Sequence, residues 1–366
     1  MIFGMKKKIL WITASWSYDT DKEVVPTLIK DGAFDIDWWV INDVNSKVEL
    51  DGFSGNIYTM QSRQRSIHRI MEYRNFFITC GLKAADMIYS DELGAPYYYP
   101  ALLWCKDKKT PIVHAAHNVV PYGVWPWWMK IYVKYVLRRN KYFHFFSKSS
   151  VEYFNKRYTG KKYFLAPMVM KGYGKARTNN YFFDETKINL LFFGNVAGNK
   201  RLDLLIDAIK QLPKEKQDML HLNICGNCKS GADSYIQQIG DSKCISTYFK
   251  RIPDEEIPEL FIKSDYLVLP YQDVAQSGPQ MIAYYYNTPV IASDIEGFSE
   301  RVIDGENGYL FKRNDVENLK EVLIKVTNLN QEGYNAMKLA LKEYADKNYS
   351  ASAISSKYIK FFKSII

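Results

Sequence analysis

The 366-residue chain reads as a two-domain α/β protein built on doubly wound parallel sheets. Three observations predict this. The length allows two cores, since roughly 100–200 residues make one domain. Short apolar runs alternate with helical segments in both halves, the mark of βαβ units. Residues 160–180 (GKKYFLAPMVMKGYGKARTNN) are polar, basic and glycine-containing, and they read as an interdomain linker. The predicted limits are 1–175 for the first domain, 176–345 for the second and 346–366 for a C-terminal helix.

In the first half, residues 8–14 (KILWITA) form a buried strand ending at Ser15, Trp16 and Ser17. The apolar run is too short for a signal peptide, despite Lys6, Lys7 and Lys8 before it. Residues 23–30 are helical, 34–41 (FDIDWWVI) return as a strand, 63–82 form a long basic helix, and 87–90 and 111–116 are two further strands. Residues 125–146 (WPWWMKIYVKYVLRRNKYFHFF) read as an amphipathic helix. The i, i+4 spacing of Lys130, Lys134 and Arg138 sets three cations on one face. Two readings stay open: the helix lies on an anionic membrane, or it packs on its own sheet. In the second half, 188–193 (INLLFF), 221–225 (HLNIC), 266–270 (YLVLP) and 289–293 (PVIAS) are strands, with helices near 201–212 and 276–287. No run approaches the about 18 uncharged apolar residues of a spanning helix.

Charge is uneven. The net formal charge is +9, and residues 1–180 hold 27 Lys and Arg against 15 Asp and Glu, leaving the remainder slightly acidic. A basic first half suits an anionic partner, of which a phospholipid surface or lipid-linked phosphate fits better than nucleic acid. The 28 Tyr, 20 Phe and 8 Trp serve core packing and can also stack on sugars. Five cysteines without a periodic framework read as reduced thiols of a cytoplasmic protein. Cys225 and Cys228 form a CxxC with no second pair at zinc spacing, so they read as structural. His114 and His117 span a strand end rather than a helix. Residues three apart in a strand point to opposite faces, so they do not read as a metal site.

Ligands of open α/β sheets bind at the carboxyl ends of strands, where helix N-termini suit phosphate. Two segments fit. Gln276-Ser277-Gly278-Pro279 opens a helix with a capping hydroxyl, a bare backbone and a proline whose missing N–H is harmless there. Gly194 to Arg201 (GNVAGNKR) follows a strand, and Lys200 or Arg201 can reach a diphosphate. Neither the P-loop nor the GxGxxG spacing is present.

Taken together, GN…NKRLDLLIDAI, RIPDEEIPELFIKSDYLVLPY and QSGPQMIAYYYNTPVIASDIEGFSERVIDGENGYLF resemble the C-terminal half of the glycosyltransferase group 1 superfamily. HAAHNVVPY at 114–122 resembles that family's donor-facing histidine loop. The resemblance implies a GT-B fold of two facing Rossmann-like domains and a retaining transferase that uses a nucleotide sugar. It also implies a C-terminal helix returning to the first domain. By the same resemblance, Lys200 and the Ser277-Gly278 backbone hold the donor diphosphate, with Gly194 and Asn195 opposite and Gln276 adjoining. Arg251 and Ile252 pass the base, His117 faces the transferred sugar, and Asn118 with Ser15 and Trp16 shapes the acceptor side. No metal or other cofactor is required. Two glutamates frequent in the superfamily are replaced by Val274 and Ile282, as in a QSG-type branch, and Ala197 stands near the place of a phosphate-loop arginine. The expected role is transfer to a glycan or lipid-linked acceptor in surface polysaccharide synthesis, at the cytoplasmic face of the membrane and in peripheral contact with it. The rival reading is a non-catalytic scaffold of the same fold that binds a partner protein or a membrane.

Overall fold

The structure, a computed structural model, describes residues 6–366 apart from 45–49, 51, 52, 64, 95, 118, 120–125, 230 and 275. The chain divides into two compact units, Met1–Val169 with Ala351–Ile366, and Met170–Ser350. The first unit therefore ends before residue 175, and the returning segment starts at 351 rather than 346.

In the first unit the described strands are β1 (Lys8–Ala14), β2 (Asp35–Asp43), β3 (Asn56–Met60), β4 (Met87–Asp91), β5 (Ile112–Ala116), β6 (Tyr142–Phe145) and β7 (Lys162–Leu165). All pair in parallel, in the order β3-β2-β1-β4-β5-β6-β7. The helices are α1 (Tyr18–Asp31), α2 (His68–Thr79), α3 (Tyr98–Cys105), α4 (Trp127–Arg139) and α5 (Lys148–Asn155). The order reverses between β1 and β4, so right-handed crossovers put α1 on one face and α2 to α5 on the other.

Two cores follow. Ile9 and Trp11 of β1 pack with Val24, Val25 and Leu28 of α1. Leu10 and Ile12 pack with Phe76 and Phe77 of α2, Tyr98 of α3 and Tyr132 of α4. The run 125–146 is thus not one helix: Asn140 ends α4, and 142–145 is the buried strand β6. The expected linker likewise contains β7.

The second unit holds β8 (Ile188–Phe193), β9 (Leu220–Cys225), β10 (Ile245–Tyr248), β11 (Tyr266–Leu269), β12 (Val290–Ser293) and β13 (Gly308–Phe311). Their parallel order is β10-β9-β8-β11-β12-β13. Its helices are α6 (Leu202–Lys210), α7 (Lys214–Gln217), α8 (Asp233–Ile239), α9 (Ile257–Ile262), α10 (Gly278–Tyr285), α11 (Glu296–Ser299), α12 (Val316–Asn328) and α13 (Gln331–Tyr349). The last helix, α14 (Ala351–Lys363), belongs to the first unit, where Ile354, Tyr358 and Phe362 enter the core around Trp11. None of the described helices is long and apolar enough to cross a membrane.

Candidate functional site

Each sheet reverses its strand order at one point, between β1 and β4 and between β8 and β11. Crevices at the carboxyl ends of strands beside such a point are where doubly wound sheets take ligands. Both units carry chemistry there.

In the second unit, β8 runs into Gly194, whose φ of +107 only glycine adopts freely. A side chain there would meet Lys200 Nζ at 3.1 Å and Pro279 Cγ at 3.6 Å. Gly226, at the end of β9, presses so closely on Gly194 that a Cβ would lie 2.0 Å from the Gly194 oxygen. The loop then turns through a 3₁₀ segment, Gly198–Lys200, and a left-handed Arg201 into α6. Gln272 N–H donates to the Asn199 carbonyl at 2.7 Å, which ties this loop to the chain after β11. Lys200 is half-buried, and its Nζ lies 5.3 Å from the centre of the Tyr271 ring. Burial lowers its pKa to about 8, and among the described residues no carboxylate pairs with it.

Ser277 caps α10 by accepting from Gln280 N–H at 3.3 Å. At Gly278 an added Cβ would meet nothing within 4 Å, so space lies open before the first N–H groups of the helix. Ser293 Oγ donates to the Tyr271 carbonyl at 2.5 Å and holds the end of β11 in place. A cation without a counter-ion, the Gly278 N–H at the helix start and open space together suit an anion.

Of the residues expected here, Gly194, Lys200, Ser277 and Gly278 are brought together, with Asn195 and Gln276 adjoining along the chain. Arg251 and Ile252, expected beside the base, follow β10, two strands from β8 in the sheet. Ile252 is buried and Arg251 exposed. Ile282 is buried in α10.

In the first unit, β1 ends in the 3₁₀ turn Ser15–Ser17. Ser17 Oγ donates to the Ala14 carbonyl at 3.0 Å and lies 3.3 Å from the Asp91 carbonyl, which ties the turn to the end of β4. Asp91 is buried, and its Oδ1 meets His117 Nε2 at 2.7 Å. The imidazole stacks on Phe146 with centroids 4.1 Å apart, and the Trp16 ring stands edge-on to it at 5.0 Å. The second oxygen, Asp91 Oδ2, is buried without a partner among the described residues.

Asp21 lies nearby, accepting from Trp11 Nε1 at 2.9 Å and Thr13 Oγ1 at 2.5 Å. Burial raises its pKa well above the carboxylate range, and the Asp91 charge raises it further. Glu92 accepts from Gly94 N–H, and burial pushes its pKa up to about 7.

Two cavities flank Trp16, which is 59% exposed. One of 170 Å³ is lined by Trp16, Asp91, Glu92 and His117. The other, of 470 Å³, is lined by Ser15, Trp16, Asp43, Arg65, Glu92 and Trp128. Ser15, Trp16 and His117 are thus gathered at one place, while Asn118 lies outside the described residues. Asp91 and Glu92 were missed in the sequence because the strand read as 87–90 stops one residue short of Asp91. His114 is buried, with its pKa lowered to about 4 by that burial, and it belongs to the strand interior.

Two parallel-sheet units with these crevices define the GT-B class of fold. The structure superimposes on Anabaena HepE, solved in complex with UDP and glucose, with a TM-score of 0.75 and 15% identity over 98% of this chain and 100% of that one. It matches sucrose-phosphate synthase from Thermosynechococcus elongatus with a TM-score of 0.75 and 16% identity over 98% and 99% of the two chains. Residues 176–347 match the model of the family glycosyl transferases group 1. Two relatives agree in sequence. A 41.2 kDa protein in the cps region of Klebsiella pneumoniae is 25% identical over 188 residues, 51% of this chain and 49% of that protein. An uncharacterized glycosyltransferase of Methanocaldococcus jannaschii is 27% identical over 194 residues, 50% and 46% of the two. The chain spans about half the length of these relatives.

Proposed function

We propose that the protein is a retaining glycosyltransferase that takes a sugar from a nucleotide sugar held by the second unit. The acceptor is a glycan or lipid-linked saccharide held by the first. The observation that carries this reading is the unpaired Lys200 beside the open N-terminus of α10. As the bond between the anomeric carbon and the diphosphate oxygen breaks, negative charge grows on the leaving group. Lys200 and the Gly278 N–H at the start of α10 then stabilise it more than the ground state, which is what lowers a barrier. The acceptor hydroxyl oxygen forms the new bond to the anomeric carbon, and its proton passes to the departing diphosphate oxygen. By the family resemblance His117, held by Asp91, is the histidine assigned to the transferred sugar. Trp16 and Trp128 offer flat surfaces for sugar rings, and Asp43 and Glu92 can accept from sugar hydroxyls.

Retention of configuration rests on the family resemblance. The UDP complexes of the neighbour HepE make UDP-sugars the first donors to test. The cps-region relative supports a polysaccharide acceptor. On this reading lysine and backbone N–H groups neutralise the diphosphate without a metal, so transfer persists in EDTA. The five thiols, all free, fit a cytoplasmic setting.

Calorimetry with UDP-, GDP- and CMP-sugars is the direct test. Binding of one of them, lost in Lys200→Ala, supports the transferase. Binding of none, by a folded protein, favours the non-catalytic scaffold.

A further inference from the structure

The outer surface of the α2–α3–α4 layer carries an uncovered pattern. Along α4, Trp127, Ile131 and Tyr135 recur every four residues and all are exposed, Trp127 by 74% and Ile131 by 59%. Lys130, Lys134 and Arg138 form a second exposed column one residue behind them. None of these cations forms an ion pair among the described residues. On α3 next to it, Trp104 is 62% exposed, with the Arg74 guanidinium of α2 5.7 Å from its ring.

Across the three helices the sole carboxylate is Glu72, which is engaged with Ser62 and Arg69. Packing on the sheet uses the opposite sides of these helices, through Tyr132 and Val136 of α4, so it does not account for the outer columns. Aromatic and aliphatic side chains flanked by unopposed cations match one kind of surface. Rings and aliphatics settle at the level of lipid headgroups, and cations pair with anionic lipid phosphates.

We infer that this face docks on an anionic lipid bilayer, with Trp127, Ile131, Tyr135 and Trp104 entering the interface and Lys130, Lys134 and Arg138 holding lipid phosphates. Docking is independent of the transferase reading. One corollary does rest on that reading: Trp128 and Met129, on the same turn as Trp127, line the larger cavity, so a docked α4 sets the acceptor site at the level where a lipid-linked saccharide projects.

The test is co-sedimentation of the full chain with sucrose-loaded phosphatidylcholine vesicles, with and without about 30 mol% phosphatidylglycerol. The protein sediments with the anionic vesicles, stays in solution with the neutral ones, and is released as salt approaches about 0.5 M. Lys130→Glu/Lys134→Glu/Arg138→Glu lowers vesicle affinity at least about tenfold. Trp127→Ser/Ile131→Ser lowers it by a similar factor, about tenfold. Both variants keep the wild-type melting temperature and nucleotide binding, which separates lost docking from lost folding. Equal sedimentation with both vesicle types, or undiminished binding by the folded charge-reversed variant, overturns the inference. So does failure of the folded wild type to bind anionic vesicles at low salt.

Discussion

Lys200 holds a charge that its surroundings do not balance. Burial lowers its pKa to about 8, against about 10.4 for a free lysine. Between these values the unfolded chain binds more protons, so the lysine's contribution to stability rises with pH through that window. A bound diphosphate reverses the balance by favouring the ammonium. Donor binding at pH 8 should therefore take up about half a proton, and affinity should fall as pH climbs above 8. Calorimetry in buffers of different ionisation enthalpy measures both. Lys200→Ala should lower the rate of transfer by at least about a hundredfold while leaving the melting temperature unchanged or raised, because a half-buried unpaired cation is removed. A lysine that merely packed would show neither the proton uptake nor the loss of rate.

Asp91 is the second residue with a checkable role. Its contact with His117 Nε2 fixes the ring between Phe146 and Trp16. Asp91→Asn should lower kcat by about ten- to a hundredfold with the donor KM unchanged, and it should shift the pH profile of kcat. Both Lys200 and His117 were legible in the sequence from their places after a strand. Asp91 was not, because its partner stands 26 positions away and only the pairing of β4 with β5 brings them together.

The loop between β8 and α6 owes its shape to backbone contact rather than to side chains. Gly226 lies against Gly194, so Gly226→Ala should push the phosphate loop outward. Strain at its φ of +150 adds to the clash, and a loss of about 1–3 kcal/mol in stability, read by chemical denaturation, is expected together with weaker donor binding. In α10 the position where the superfamily often has a glutamate is the buried Ile282. Ile282→Glu should destabilise the protein by several kcal/mol without improving nucleotide affinity, since a carboxylate there enters an apolar core. A substitution that kept stability and tightened nucleotide binding would show that position 282 faces the nucleotide rather than the core. The turn and cap chemistry of Ser277 to Pro279 was plain in the sequence. The split of 125–146 into α4 and β6 was not, because both elements are aromatic and one apolar run looks like another until Asn140 turns the chain.

Packing divides along the two units. The helix α14 belongs to the first unit through Ile354, Tyr358 and Phe362. Phe362→Ala should cost about 3–5 kcal/mol there. Deleting 351–366 should lower the melting transition of the first unit and leave that of the second, resolved by hydrogen exchange. A UDP-sugar should raise the second unit's transition alone, by mass action. If the deletion lowered both equally, the units would not be independent in folding.

What the amino-acid order determined by itself is local and periodic: the alternation of strands and helices, the caps, the glycine-lined turns and the uneven charge. These depend on neighbours within a few residues, where propensity and pattern act. The tertiary structure alone decided what depends on distant partners. It set the strand order that reverses beside β1 and β8, the seating of α14 in the first unit, the pairing of Asp91 with His117 and the isolation of Lys200 from every described carboxylate. Those features arise when separate βαβ units close one sheet and bury their faces together, and no local window of sequence contains that event.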